Sequence, residues 1–154
     1  MSMMTPKNLY NNEMIGAIAI YSVLFHLQTI SVAKSMLIFP FISHQGTLDF
    51  LKNNNTTLRS LEEFIIKKPD FFSNYNDRYY SLLTLSVNSI ILLKEIELIR
   101  IENSEISINP EKKLAINKEA YGLRAFNISI AGKKLSEILN DNDKNLYLQL
   151  KVKL

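Results

Sequence analysis

The chain has no cysteine, only four glycines and four prolines, and almost no charge between Met14 and Leu48. Without cysteine there is no disulfide framework and no thiolate chemistry, which fits a reducing compartment and makes the cytoplasm the expected location. The few glycines, Gly16, Gly46, Gly122 and Gly132, are scattered, and none opens the G-x-x-x-x-G-K pattern of a phosphate cradle. The missing charge says most. From Met14 to Leu48 the only formally charged side chain is Lys34. A chain of 154 residues fits one domain with one core. So long an apolar stretch therefore predicts contact with a membrane or a surface built to be covered by partners.

The membrane alternative is the weaker one. Met14–Ala33 has about the length that spans a hydrocarbon core. However, Ser22, His26, Gln28, Thr29 and Ser31 interrupt it, and aromatic and basic anchors do not flank both ends. Glu13 stands where a signal peptide carries basic residues, and no small-residue cleavage site follows the run. The segment reads as a buried helix opening at Asn11 or Asn12, with Glu13 in its first turn where a carboxylate suits the helix dipole.

The rest of the chain is punctuated by caps and breakers. Ser31 opens a second apolar segment that Pro40 ends or kinks. Gln45-Gly46-Thr47 is a turn from which Thr47 caps a short helix through Leu51, and Asn53–Thr57 is a polar loop. Ser60-Leu61-Glu62-Glu63 is a capping box that opens a helix closed by Pro69. Asp77 caps a long helix reaching Glu95. Two extended segments, Glu97–Glu102 and Glu105–Asn109, meet at Asn103-Ser104 and predict a hairpin. Another helix spans Lys118–Asn140, and the alternation of Leu146, Leu148, Leu150, Val152 and Leu154 with Tyr147, Gln149, Lys151 and Lys153 predicts a terminal half-buried strand. The expected fold is a single α+β domain, residues 1–154, mainly helical. It comprises an apolar helical part (1–55), a winged-helix-like half with a hairpin wing (56–110), and a helix plus C-terminal β-strand (111–154).

Chemistry-bearing patterns are sparse. His26 and His44 lie on separate elements, and no His, Asp or Glu cluster has metal-ligand spacing. Glu62-Glu63 points two carboxylates about a third of a turn apart, which suits a cap and a solvated charge better than an acid–base pair. Asp77-Arg78 reads as a cap beside a surface cation. These readings predict a protein that is not an enzyme and needs no metal or cofactor.

Nucleic-acid binding is the alternative, because a winged helix reads the major groove with its second helix. Between Arg78 and Glu95 that helix offers only Arg78 and Lys94 as cations, too few for direct base reading. From Lys112 onward the balance turns basic, and Lys112, Lys113, Lys133 and Lys134 are the candidates for weak phosphate contact.

One ordered set of motifs resembles a known family. It consists of Asn12-Glu13-Met14-Ile15-Gly16-Ala17, Leu37-Ile38-Phe39-Pro40-Phe41 with His44, Ser60-Leu61-Glu62 with Phe64-Ile65, Arg78-Tyr79-Tyr80 followed by Leu85–Ser89, the hairpin, Gly122-Leu123-Arg124-Ala125, and Leu146–Leu150. This order resembles the middle component of bacterial three-component ABC systems over almost the whole chain. The resemblance implies an accessory subunit that works with an ABC-type ATPase of the chromosome-maintenance or recombination-repair kind and an effector protein encoded nearby, in loci like those of Lamassu-type phage defence. It supplies no catalytic residue. The expected role is a bridging adaptor with Tyr21, Phe25, Phe39, Phe41, Tyr147 and Gln149 as partner-binding candidates. A winged-helix nucleic-acid-binding or regulatory protein is the alternative.

Overall fold

A computed structural model describes residues 12–154; Asn11 and the rest of the first eleven residues of the 1–55 part lie outside the described region. Asn12 caps the first helix, α1 (Glu13–Leu27), its side-chain oxygen accepting from the Ile15 amide at 3.0 Å. Every residue from Ile15 to Leu24 is buried. A helix apolar all round is one covered all round, and α1 is the central post of the fold. It packs against α7 (Leu83–Glu95), α9 (Leu123–Ile138) and α3 (Ile38–Ile42). The uncharged run is therefore covered by the chain itself from Ile15 to Leu24 and from Ser35 to Ile42, while Phe25, Gln28, Thr29 and Ala33 between them stay exposed; no helix among the described residues is long and apolar enough to cross a membrane.

Two glycines permit that crowding. A methyl group on Gly132 of α9 would stand 2.6 Å from the Ser22 Cβ and 2.8 Å from the Ser22 carbonyl oxygen, and one on Gly16 would stand 2.2 Å from the Ser89 hydroxyl of α7. The α1–α9 and α1–α7 crossings close because these positions lack a side chain.

The hairpin forms as expected, with β2 (Ile99–Glu102) and β3 (Glu105–Ile108) joined through Asn103 and Ser104 at φ 52° and 62°. Two successive positive φ values make the primed turn that suits strand twist. A strand not anticipated from sequence, β1 (Thr29–Ser31), pairs antiparallel with β3 in the register Ile30↔Ile106, giving the order β1-β3-β2. Ile30, Ile99 and Ile106 turn into the core.

Several boundaries differ from expectation, each for a local reason. α2 (Val32–Ser35) is a single turn capped by Ser31. Pro40 does not end its element. It lies in the first turn of α3, where its missing N–H has no helical partner to lose. The next helix, α4 (Gln45–Lys52), is capped by His44, whose Nδ1 accepts from the Thr47 amide at 3.2 Å; Thr47 is thus inside the helix rather than its cap. In α5 (Leu61–Lys67) Ser60 accepts from the Glu63 amide as expected, but the Glu63 carboxylate takes the Arg59 amide at 2.8 Å. Pro69 opens a 3-10 turn (Pro69–Phe72) rather than only closing a helix. The long helix expected to begin at Asp77 is two, α6 (Tyr75–Ser81) and α7, with Asp77 in the first turn of α6. Gly122, at φ 90°, divides the last long helix into α8 (Lys118–Tyr121) and α9.

The terminal strand is the clearest correction, because Asp143–Gln149 is a helix, α10. Asn142 accepts from the Asn145 amide at 2.9 Å and Asp143 occupies the first turn, a start signal that outweighs the alternation. Helical winding puts Leu146 and Leu150 in the core, while Leu148 is left 66% exposed. Lys151 at φ 57° ends the helix: its amide reaches the Leu148 carbonyl and that of Val152 reaches Tyr147, the Schellman pattern without its usual glycine. The fold is thus α+β and mainly helical, with all of its strands in one small sheet among the described residues.

Phe41, Phe64, Phe72 and Tyr75 form a chain of edge-on ring contacts at 5.0–6.0 Å, and Phe50 stacks on Phe64 at 5.2 Å. This cluster joins residues from both sides of the polar loop and fixes α6 on α3. Arg78 completes the joint, its Nε donating to the Pro40 carbonyl at 3.0 Å and Nη2 to the Phe71 carbonyl at 2.9 Å. It is a half-buried strut whose pKa burial lowers, and not a surface charge.

Candidate protein-docking surface

α10 and the residues after it lie across α2, α6 and the hairpin turn without closing on them. The space left is a groove of about 730 Å³. Its floor is apolar, built by Val32, Ala33 and Met36 on one side and Leu148, Val152 and Leu154 on the other, with Tyr79 and Tyr147 between. The walls are pinned by hydrogen bonds between segments far apart in the chain. The Ser31 hydroxyl, at the cap of α2, donates to the Asp143 carboxylate at 2.5 Å. Tyr147 donates to the Ala33 carbonyl at 2.6 Å, and its oxygen lies 3.2 Å from that of Tyr79, with the rings edge to face at 5.8 Å. The Lys153 amide donates to the Asn76 side chain at 2.9 Å, and the Tyr80 hydroxyl donates to the Lys153 carbonyl.

The polar groups of the groove are held by hydrogen bonds. Burial first, and the hydrogen bond with Tyr79 second, push the Tyr147 phenol far above its ordinary value, so it remains a neutral donor. Asp143 is engaged by Ser31, and Lys144 stands at the rim. An open apolar floor with a few fixed polar groups has the make-up of a surface that receives another protein's side chains. Among the described residues no three His, Cys, Asp or Glu side chains are grouped to hold a metal ion.

The sequence-derived candidates divide. Tyr147 lines the groove, and Gln149 sits on the same helix, half-buried, with its side-chain oxygen unpaired. Phe25 is exposed beside His26 at the end of α1. Tyr21, Phe39 and Phe41 are covered by the chain's own residues, and the Tyr21 hydroxyl accepts from the Leu114 amide at 3.2 Å. Those three belong to the core because α1 and α3 are interior helices, which an uncharged sequence alone does not distinguish from a sticky surface. Met36, Tyr79 and Leu148 were missed. For Leu148 the signal, helical rather than alternating spacing after Asn142-Asp143, was hidden by the even-numbered leucines; Met36 and Tyr79 carry no local signal of their place in the groove.

The four lysines proposed for phosphate contact do not converge. Lys112 donates to the Ile96 carbonyl at 2.6 Å, beneath the hairpin, with Lys113 next to it in the chain. Lys133 and Lys134 line a hollow of about 230 Å³ with Lys52 and Glu137, where Lys134 donates to the Asn53 carbonyl. A second hollow of that size lies between Phe25, His26 and Leu114. Burial first, then Lys133, lowers the pKa of His26 against the opposing pull of Glu137.

A family model described as "ABC-three component (ABC-3C) system Middle Component 3" matches residues 7–154. Neither the curated proteins nor the solved structures contain a match.

Proposed function

The chain belongs to the ABC-three component system Middle Component 3 family, and from that premise we propose that it is a non-catalytic adaptor bridging an ABC-type ATPase of the chromosome-maintenance kind and an effector, in a Lamassu-type anti-phage defence complex. Membership as a middle component implies partner proteins within the system. The observation that carries the bridging role is the open groove of about 730 Å³, whose Leu148 is 66% exposed on a pinned scaffold. Leaving a large leucine in water within an apolar concavity has a cost that a partner's side chains would offset.

The test is co-expression of the tagged chain with the products of the adjacent genes. Wild type should retain both the ATPase and the effector through affinity and size-exclusion steps. Leu148→Asp should lose one of them while the isolated variant keeps its thermal midpoint. Retention of both partners by Leu148→Asp with unchanged affinity would remove the groove from the interface, and failure of wild type to capture either would sink the adaptor reading.

A winged-helix nucleic-acid-binding role has one observation in its favour: β1, after the first helix, joins the sheet of a hairpin that follows α7. The outward face of α7 argues against it, since it carries Thr84, Val87 and Ile91 with Lys94 as its one cation. Sub-micromolar, sequence-selective DNA binding by the isolated chain would reverse that preference.

A further inference from the structure

The hollow of about 230 Å³ at the C-terminal end of α1, bounded by α9 and by the segment that joins β3 to α8, is a concavity separate from the groove. Tyr21 and Leu114 both line it, and the Leu114 amide donates to the Tyr21 hydroxyl at 3.2 Å. Tyr21 is only 2% exposed, yet among the described residues its own hydroxyl proton has no acceptor. Buried tyrosines normally spend that proton, because an unpaired buried donor is costly.

The neighbouring hydroxyls are set the other way. Ser22 donates to the Ile18 carbonyl and Ser129 to the Phe126 carbonyl, each at 2.6 Å, so both offer the hollow lone pairs only. His26 makes no side-chain hydrogen bond among the described residues, and burial first, then Lys133, favour its neutral form, in which one ring nitrogen donates and the other accepts. Phe25, 45% exposed, and the half-buried Leu114 and Ile116 supply apolar walls.

These features specify an occupant. It accepts from a buried donor, donates to flanking acceptors, and lays an apolar ring against a phenylalanine. The hollow is smaller than the about 300–1,000 Å³ of pockets for drug-sized ligands, and far larger than the roughly 30 Å³ of one water. A planar heterocycle with an acceptor and a donor side by side on one edge meets all of these demands. Nucleobases carry such an edge, and unpaired ones stack on aromatic side chains. We propose that this hollow binds a single unpaired nucleobase, taken from a free nucleoside or nucleotide or from a single strand. Lys133 and Glu137, both exposed beside His26, oppose each other's charge there, so the base rather than its phosphate carries the recognition.

Backbone-amide NMR titration of the full chain tests this, with adenosine, cytidine and uridine, their 5′-monophosphates, and a single-stranded oligonucleotide as probes. The nucleosides should shift the Leu114 and Ile116 amides and saturate at millimolar concentration, and the monophosphates should bind about as well. Phe25→Ala, at an exposed position that leaves the fold intact, should weaken binding about tenfold. Tyr21→Phe, which removes the buried donor, should weaken it by a similar factor, about tenfold. No shift at Leu114 with any nucleoside, equal binding of toluene, which has no hydrogen-bonding edge, or unchanged affinity in Phe25→Ala would overturn the proposal. So would binding of the oligonucleotide alone with a steep salt dependence that survives Phe25→Ala, since that would be phosphate contact only. Tighter binding of the strand than of the nucleosides, lost in Phe25→Ala, would assign the base to a strand; equal binding would assign it to a free nucleoside or nucleotide. Leu148→Asp should leave every one of these affinities unchanged, so failure of the groove reading and failure of this one are separable.

Discussion

Gly132→Ala puts one methyl group into the α1–α9 crossing, where the glycine lies directly against the backbone of α1. In an exposed helix the change stabilises, because alanine is favoured over glycine by about 1 kcal/mol. Here the added carbon would lie 2.6 Å from the Ser22 Cβ and 2.8 Å from the Ser22 carbonyl oxygen. A side-chain contact can be relieved by rotation, but a Cβ and a carbonyl move only with the backbone of α1. That helix is buried between α7, α9 and α3 and has nowhere to retreat. Overpacking a closed core costs about 1–3 kcal/mol, and a contact with backbone belongs at the upper end. Set against the propensity gain, the net loss is about 2 kcal/mol, or roughly 4–8 °C in Tm for a domain of this size. Thermal unfolding followed by circular dichroism measures it. Ser22→Gly in the same chain removes the Cβ contact and leaves the carbonyl one, so it should recover only part of the loss. A Gly132→Ala protein as stable as wild type, or more so, would refute the α1–α9 crossing as described.

Glu97, at φ 64°, ends α7 in a Schellman turn in which the Glu97 amide reaches the Lys94 carbonyl and the Leu98 amide reaches Leu93. Glu97→Gly removes the left-handed strain and should raise stability by about 0.5–1 kcal/mol, read from chemical denaturation. Leu148→Asp should change stability by about 0.5 kcal/mol or less, because the side chain is exposed, whereas Leu146→Ala on the buried face of α10 should cost about 2–5 kcal/mol; similar effects of the two would contradict the helix. Burial first, and Arg78 second, lower the pKa of His44 in the fold, and its Nδ1 must be neutral to accept from Thr47. Its contribution is therefore present above the ordinary imidazole value and is lost as pH falls below it through the lowered one. Tm should drop between about pH 7 and pH 5, and His44→Asn, which keeps a capping oxygen without the titration, should flatten that fall; a slope identical to wild type would remove His44 as a cause.

The hairpin and the Asn12, Ser31 and Ser60 caps were legible because each depends on residues within four positions of one another. Asn103-Ser104 makes its turn whatever surrounds it, and the β2–β3 register follows from a two-residue connection. The strand β1 was not legible, since three residues carry no period and their pairing is decided far later in the chain, at Glu105–Ser107. The cap at His44 was missed because histidine caps only as a neutral acceptor, a state that burial and then Arg78 favour here. Residues 146–154 misled because their alternation is real, yet it competed with an Asn-Asp start signal and with a core that needed Leu146 and Leu150 on one helical face. The scarcity of glycine left a mark of its own. Gln28, Glu97, Asn103, Ser104 and Lys151 all adopt positive φ where other chains place glycine, so these helix ends and the hairpin turn carry no glycine signal.

The uncharged run and the exposed apolar residues turn out to be different things, and the difference has a physical basis. A side chain that will be covered by its own domain needs no charged neighbour, so a central helix such as α1 loses charge on every face. One that must stay in water until a partner arrives needs a polar rim that keeps the free chain dispersed and sets the partner's register. Val87 and Ile91 lie between Asp77 and Lys94, and Leu148 lies between Lys144 and Lys151. In this chain the exposed Val87, Ile91 and Leu148 sit in segments that carry charges, whereas the uncharged stretch Ile15–Leu24 is wholly inside. A search for contact surfaces in such a sequence therefore gains more from the mixed segments than from the most hydrophobic one.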